Sequence, residues 1–176
     1  MSEHTGDCIV IPSLTFRRAR TADVRRIAAL IDTYAPERRL LVKPAVTLYE
    51  DVQEFRVAEA DGQVVGCGAL HVFWEDLAEI RTVAVDPAYR GCQIGHRIVT
   101  TLLDTARELG IRRVFVLTFE VDFFARHGFR ILAESPVDTT VYQELMRSAD
   151  EGVAEFLDLE RVKPNTLGNT RMLRYL

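Results

Sequence analysis

The sequence predicts a mixed α/β fold, in which helices cover a sheet that contains both parallel and antiparallel strands. Short apolar runs with strand patterning alternate with segments whose apolar residues repeat at helical spacing. The run at residues 114–117 is apolar throughout, which is typical of a strand covered on both faces. We predict the element order βααβββαβαβ, with residues 1–13 as a flexible leader and residues 14–176 as a single domain.

The elements of the first half follow from apolar spacing and turn residues. A strand over residues 15–20 precedes a helix that begins with Thr21 as its N-cap and ends at Pro36. A capping box from Thr47 to Glu50 predicts the start of a second, short helix. Strands are then predicted at residues 55–59, 64–73 and 78–85, the first two joined by a hairpin turn at Asp61-Gly62.

The second half begins with a helical stripe of apolar residues from Ile98 to Leu109, which stops at Gly110. The apolar strand at residues 114–117 follows. A short helix at residues 121–126, a strand after Gly128, a helix near residues 139–146 and a terminal strand near residues 172–175 complete the prediction.

Composition and charge argue against several classes of protein. The formal net charge is −4 and no nucleic-acid-binding signature is present, so we expect no nucleic-acid partner. No apolar run approaches the roughly 20 residues that cross a bilayer, and no signal-peptide pattern opens the chain, so we expect a cytoplasmic protein without a membrane partner. Cys8, Cys67 and Cys92 have unrelated spacings, which predicts reduced thiols and no metal site. A homodimer is left open.

The segment at residues 82–96 is the most informative part of the chain. Its pattern indicates a buried strand, a turn, a small glycine-bearing loop and the start of a helix. Such a loop presents backbone N–H groups and the positive end of the helix dipole to an anion such as a pyrophosphate. Arg90 adds a positive charge, and Gly91 and Gly95 allow close approach of a ligand. The spacing fits neither the dinucleotide-binding glycine pattern nor the P-loop.

The run Arg90-Gly91-Cys92-Gln93-Ile94-Gly95 resembles the acyl-CoA loop of the GNAT superfamily of N-acetyltransferases. It departs from that loop at Gln93, where Gly is usual. If this position needs a positive φ, Gln strains the loop; otherwise its N–H still donates. The resemblance implies the GNAT acyl-CoA N-acyltransferase fold, acetyl-CoA as co-substrate and no metal. It assigns cofactor binding to Thr82, Val83, Val85, Arg90, Gly91, Cys92, Gln93, Ile94, Gly95, His96 and Phe124.

A second segment, Phe123-Phe124-Ala125-Arg126-His127-Gly128-Phe129, is similar to the F-Y-x-x-x-G-F segment of that superfamily. Phe124 replaces the Tyr that often protonates the leaving thiolate. Because Phe has no proton to donate, this role falls to another group or to water.

Within the superfamily, the chain resembles the amino-acid N-acetyltransferases (N-acetylglutamate synthases) that begin arginine biosynthesis. The resemblance covers residues from about 16 to the C-terminus and rests on residues 41–43, 66–70, 79–85, 114–118 and 169–171. It implies the short form of this branch, which has no amino-acid-kinase domain. The implied reaction is transfer of the acetyl group from acetyl-CoA to the α-amino group of L-glutamate or L-glutamine.

This reaction needs a base that removes a proton from the α-ammonium group. The resemblance assigns that base to Glu79, and His71 is the alternative. Thr118 is assigned as a donor to the substrate or the thiolate, and the backbone N–H groups of Thr82 and Val83 polarise the thioester carbonyl. Substrate binding is assigned to Lys43, Arg81, Thr82, Asn169, Thr170 and Arg171. No well-placed nucleophile is evident, so we expect direct attack without an acyl-enzyme.

Two other functions stay open. The first is a GNAT enzyme for another amine, such as a polyamine, a drug or a protein lysine. A cationic acceptor would call for acidic residues at the site, and Lys43 and Arg171 argue against it. The second is a non-catalytic acetyl-CoA-binding regulator, which Phe124 and Gln93 keep open.

Overall fold

The structure, a computed structural model, describes residues 11, 13–36, 43–133, 137–158 and 168–176. These residues form two compact units that share three long elements. Within the described residues, the first unit comprises positions 11–69 and 82–102, and the second comprises positions 70–81 and 103–176. The predicted leader at residues 1–13 lies outside the described residues except for positions 11 and 13.

The first unit is an antiparallel strand meander covered by helices. Its elements are β1 (Leu14–Arg18), α1 (Val24–Tyr34), α2 (Ala45–Glu50), β2 (Phe55–Ala60), and the adjoining parts of β3 (Gln63–Trp74), β4 (Leu77–Val85) and α3 (Ile94–Glu108). Leu14 pairs with Ala60, and Phe55 pairs with Ala69, so β1, β2 and β3 are neighbours. Apolar residues of α1 at helical spacing, among them Val24, Ile27 and Ile31, are buried in the core of this unit.

The second unit contains β5 (Arg113–Thr118), α4 (Val121–Ala125), β6 (Arg130–Ile131), α5 (Thr139–Leu145), α6 (Glu151–Phe156) and β7 (Thr170–Tyr175). Strand β5 runs parallel to β4 and antiparallel to β7, which also pairs with β6. Phe156 of α6 is fully buried, with its ring centroid 5.2 Å from that of Phe115 and 5.9 Å from that of Phe73. This aromatic cluster stabilises α6, because burying a side chain such as Phe contributes about 1.5–3 kcal/mol.

The strands hydrogen-bond in the order β1-β2-β3-β4-β5-β7-β6, which makes a seven-stranded mixed sheet. This confirms the predicted fold class. The predicted order βααβββαβαβ is correct through β6, and the helices α5 and α6 and the strand β7 follow it. The hairpin at Asp61-Gly62 is confirmed, with φ of +50° and +81° at the two turn residues.

Two predicted helix starts are wrong. Thr21 is not an N-cap: it begins a 3-10 helix, and the Asp23 carboxylate accepts a hydrogen bond from the Arg20 N–H. The capping box from Thr47 to Glu50 does not open α2, which begins at Ala45 after Pro44. Pro44 occupies the N-cap position, and no side-chain cap hydrogen bond is formed there.

Candidate active site

In the first unit, the predicted anion loop connects β4 to α3. Asp86 follows β4, and its Oδ1 accepts a hydrogen bond from the Ala88 N–H at 2.9 Å, which turns the chain into a 3-10 helix at Pro87–Tyr89. Arg90 is exposed, and α3 begins at Ile94. The first-turn N–H groups of α3 have no acceptor within the helix itself, so this end of the 15-residue helix has the geometry that favours an anion.

The backbone of this loop shows whether position 93 needs a positive φ, the question that Gln93 raised in the sequence. Gln93 has a φ of +59° and Gly91 a φ of +80°, so both positions are left-handed. For Gly91 this conformation is free of strain. For a residue with a Cβ it costs about 1–2 kcal/mol, so Gln93 strains the loop where the family pattern has Gly.

Two β4 residues that the resemblance assigns to cofactor binding have backbone groups hydrogen-bonded within the first unit. Thr82 is buried, has a φ of +58°, and its carbonyl accepts a hydrogen bond from Cys67 Sγ at 3.6 Å. The carbonyl of Val85 accepts from the hydroxyl of Tyr34. A positive φ at a β-branched residue is rare, and such positions occur disproportionately at binding sites.

The prediction of three reduced thiols is wrong for Cys92, which is in a disulfide bond. Cys67 is free and buried, and burial raises the pKa of its thiol to about 12. At neutral pH Cys67 is therefore a protonated, apolar part of the core.

In the second unit, β4 and β5 stop pairing before either strand ends. Their parallel register runs from Leu77 opposite Arg113 to Glu79 opposite Phe115, whereas β5 continues to Thr118. Thr118, the predicted donor, is therefore the last residue of β5, beyond the last residue that pairs with β4. Thr118 is buried, and its Oγ1 accepts a hydrogen bond from the Glu120 N–H at 2.8 Å, which leaves its own O–H as a donor.

A cluster of charged groups lies beside this opening. Glu79 is buried, with an exposed fraction of 4%. The Nε of Arg81 lies 3.7 Å from Glu79 Oε2, and its Nη1 donates to Asp150 Oδ2 at 2.9 Å. His71 Nε2 lies 3.6 Å from the same oxygen of Asp150. Glu79, Arg81 and the alternative base His71 thus come together in one unit.

Asp150 was missed by the sequence reasoning. It is the N-cap of α6, and its Oδ1 accepts from the Val153 N–H at 3.1 Å. Burial favours the neutral carboxyl, but the charge and hydrogen bond of Arg81, the charge of His71 and the Val153 N–H outweigh it, so the pKa of Asp150 lies below its ordinary value. The cap could be expected from the sequence, but its contact with β4 could not.

The three cationic side chains that were assigned to substrate binding each lie near a carboxylate. Arg81 is hydrogen-bonded to Asp150, whereas Lys43 Nζ lies 3.7 Å from Asp51 and Arg171 Nη2 lies 3.9 Å from Asp158.

The two long pairs are beyond hydrogen-bond distance. Arg171 also donates from Nη1 to the Phe156 carbonyl oxygen at 3.4 Å. Binding of a substrate carboxylate by Lys43 and Arg171 stays a prediction. Residues 41 and 42, which also carried the predicted resemblance, lie outside the described residues.

Asn169 directly precedes β7, and Thr170, its first residue, pairs with Thr118. Asn169 is buried, and its Oδ1 has no hydrogen-bond partner among the described residues. A buried amide oxygen without a donor costs free energy, so a ligand N–H at this position would be stabilising.

Phe124 is buried in the second unit and packs edge-on against Phe123 and Phe129, with ring centroids 5.1 and 5.4 Å apart. Its ring therefore contributes to the core of this unit. Its assignment to cofactor binding stays a prediction.

The seven-stranded mixed sheet and the glycine-bearing loop between β4 and α3 are typical of an acyltransferase family. The profile of the Acetyltransferase (GNAT) family matches residues 23–129, and the chain belongs to that family. One relative is the amino-acid acetyltransferase of Mycobacterium tuberculosis, which is 60% identical over an alignment that covers the whole of both chains.

Solved structures show the same relationship. Rv2747 from Mycobacterium tuberculosis, in complex with CoA and NLQ, superposes with a TM-score of 0.88 at 62% identity, covering 92% of this chain and 99% of that one. The N-acetylglutamate synthase of Neisseria gonorrhoeae, complexed with CoA and N-acetyl-glutamate, has a TM-score of 0.75 at 28% identity, covering 93% of this chain and 35% of that one. The longer synthase thus contains a region equivalent to this chain.

Two further features concern the described residues alone. None of the helices in this part of the chain has the length and apolar character needed to cross a membrane. The same residues contain no group of three His, Cys, Asp or Glu side chains arranged to hold a metal ion.

Proposed function

We propose that this chain transfers an acetyl group from acetyl-CoA to the α-amino group of L-glutamate or L-glutamine. The observation that carries the proposal is the buried carboxylate of Glu79 at the point where β4 and β5 stop pairing. The relatives support the substrate class, since the gonococcal synthase was solved with CoA and N-acetyl-glutamate.

The reaction begins with a proton transfer. Glu79 accepts a proton from the α-ammonium group, directly or through water, and the neutral amine then attacks the carbonyl carbon of the thioester. The new C–N bond forms and the C–S bond breaks. The attacking nitrogen then loses its second proton, the CoA thiolate takes up a proton, and Glu79 returns its own proton to water, so the products are the N-acetyl amino acid and CoA thiol. The backbone N–H groups of Thr82 and Val83 are the proposed donors to the developing oxyanion.

Binding of the two substrates is divided among different groups. The loop that includes Arg90, Gly91 and Gln93 is proposed to hold the CoA pyrophosphate at the start of α3. For the amino acid, Lys43 and Arg171 are the proposed partners of the substrate carboxylates. Their ion pairs, at 3.7 and 3.9 Å, are longer than hydrogen bonds, and Arg171 also donates to the Phe156 carbonyl at 3.4 Å. The substrate-binding roles of Lys43 and Arg171 stay predictions. A cytoplasmic location also stays a prediction, and a homodimer is left open.

An acceptor panel tests the proposal. The purified chain is incubated with acetyl-CoA and L-glutamate, L-glutamine, L-aspartate, spermidine or a lysine peptide, and products are detected by mass spectrometry. Acetylation confined to glutamate or glutamine supports the proposal and ranks the two substrates. Acetylation of spermidine or the peptide would replace the substrate class, and acetyl-CoA binding without any product would favour a non-catalytic regulator.

A further inference from the structure

Asp150 is fixed in place by its own helix. Its Oδ1 caps the first turn of α6 through the Val153 N–H, and the opposite end of the helix is anchored by the buried ring of Phe156. Its Oδ2 is therefore presented to the cationic side chain of Arg81 from a position that α6 determines.

Among the described residues, two carboxylates lie near the Arg81 guanidinium, and Asp150 is closer than Glu79. The contact from Nη1 to Asp150 Oδ2, at 2.9 Å, is a charge-assisted hydrogen bond. The contact from Nε to Glu79 Oε2, at 3.7 Å, is an ion pair beyond hydrogen-bond distance. A guanidinium that formed its short contact with Glu79 instead would stabilise the ionised form of that carboxylate.

We propose that Asp150 is a positioning residue that holds the Arg81 guanidinium away from direct hydrogen bonding to Glu79, so that Glu79 stays basic enough to accept the substrate proton. The inference rests on the proposed function, in which Glu79 is the base. The charged and titratable groups that the described residues place here are Glu79 and Arg81 on β4, His71 on β3 and Asp150 at the head of α6.

The test removes the Asp150 charge while keeping the helix cap. Ser and Asn cap helices about as well as Asp, so Asp150→Ser and Asp150→Asn retain α6. A matched control is Asp138→Ser, because Asp138 caps α5 through the Val141 N–H in the same way and is exposed.

The first readout is the dependence of kcat on pH with acetyl-CoA and glutamate or glutamine. In Asp150→Ser, Arg81 turns to Glu79, so we expect the acid limb of the profile to move down by about one pH unit and kcat to fall roughly two- to tenfold. The KM for acetyl-CoA stays unchanged, and Asp138→Ser retains the wild-type profile. Adding Arg81→Gln to Asp150→Ser returns the acid limb to higher pH, which a merely structural defect would not do.

The second readout does not need turnover. The carboxyl carbon of Glu79, assigned by comparison with Glu79→Gln, is titrated by NMR in the wild type and in the two Asp150 variants. A lower titration midpoint in the variants supports the inference, and an unchanged midpoint overturns it. Absence of product from the wild type would refute the proposed function, while this titration would still decide whether Asp150 controls Glu79.

Discussion

The carboxylate of Glu79 lies against the α-carbon of Gly152: a Cβ atom added at Gly152 would be 2.3 Å from Glu79 Oε2. Residue 152 is in the first turn of α6, so this helix and β4 approach each other at Glu79, the proposed general base. Only a residue without a side chain leaves the carboxylate in its present position.

Gly152→Ala should therefore reduce activity more than stability. Ala is favoured over Gly in a helix by about 1 kcal/mol, and the Glu79 side chain can rotate away from the added methyl group, so the unfolding free energy changes little. Displacing the base should lower kcat on the order of tenfold, since a 1 Å misplacement of a catalytic group can cost still more. Steady-state kinetics and urea unfolding measure the two effects.

The control for this variant is Glu151→Ala, an exposed position in the same helical turn. It should retain wild-type kcat. Wild-type kcat in Gly152→Ala would show that the position of the Glu79 carboxylate does not matter for turnover.

Gln93→Gly should stabilise the chain. Its φ of +59° is strained for Gln and relaxed for Gly, while Gly adds entropy to the unfolded chain, so we expect a net gain of about 0.5–1 kcal/mol in unfolding free energy. Urea unfolding measures it. Gln53→Gly, at an exposed position in a 3-10 helix, should destabilise instead, and a loss in both variants would contradict strain at Gln93.

Gly66 and Gly68 of β3 contact different atoms of Ile98 in α3. An added Cβ would lie 2.9 Å from Ile98 Cδ1 at Gly66 and 2.7 Å from Ile98 Cγ2 at Gly68. Each Gly→Ala substitution should therefore cost about 1–3 kcal/mol through overpacking, measured by urea unfolding.

A second substitution separates these two contacts. Ile98→Val removes Cδ1 but keeps Cγ2, so it should recover part of the loss in Gly66→Ala and little of the loss in Gly68→Ala. Equal recovery in both pairs would contradict the packing described.

The sequence predicted the elements that have strong local signals. The Asp61-Gly62 turn and the long stripe of α3, which ends before the left-handed Gly110, needed no tertiary information. Helix α6 was missed, and the Gly152 in its first turn weakens the local signal for a helix. The capping box at Thr47 placed the helix start incorrectly, because α2 already begins two residues earlier, at Ala45.

In the candidate site, too, some residues could be predicted from the sequence and others could not. Glu79 and Arg81 were assigned from the sequence through the family resemblance, and His71 was the alternative base on the preceding strand. Asp150 is 69 residues from Arg81, and only the packing of α6 brings the two together. The sequence also could not decide the φ of Gln93, because a single non-Gly residue adopts either conformation according to its surroundings.

Asp23 should make the stability of the chain depend on pH. Hydrogen bonds from Arg17, at 2.7 and 3.0 Å, lower the pKa of Asp23 most; burial opposes this, and the Arg20 N–H adds to the lowering. The pKa is lower in the folded state than the ordinary value of about 3.9, so this stabilisation is present above that pH and is lost as the pH falls below it.

Urea unfolding at neutral pH and at about pH 3 tests this expectation. The wild type should exceed Asp23→Asn in stability at neutral pH, and the difference should shrink in acid. Asp32→Asn, an exposed position on α1, should show a small difference at both pH values. A gap between wild type and Asp23→Asn that grows in acid would contradict the lowered pKa.

Glu79→Gln should remove the base and keep the shape of the site. The amide does not accept the substrate proton at neutral pH, so kcat should fall on the order of 10²-fold, while acetyl-CoA affinity stays close to that of the wild type. Steady-state kinetics and calorimetric titration with acetyl-CoA measure the two quantities. Glu75→Gln, an exposed position in the turn between β3 and β4, is the matched control and should be fully active. If Glu79→Gln keeps its turnover, the base is not Glu79, and His71, 3.6 Å from Asp150, becomes the residue to substitute next.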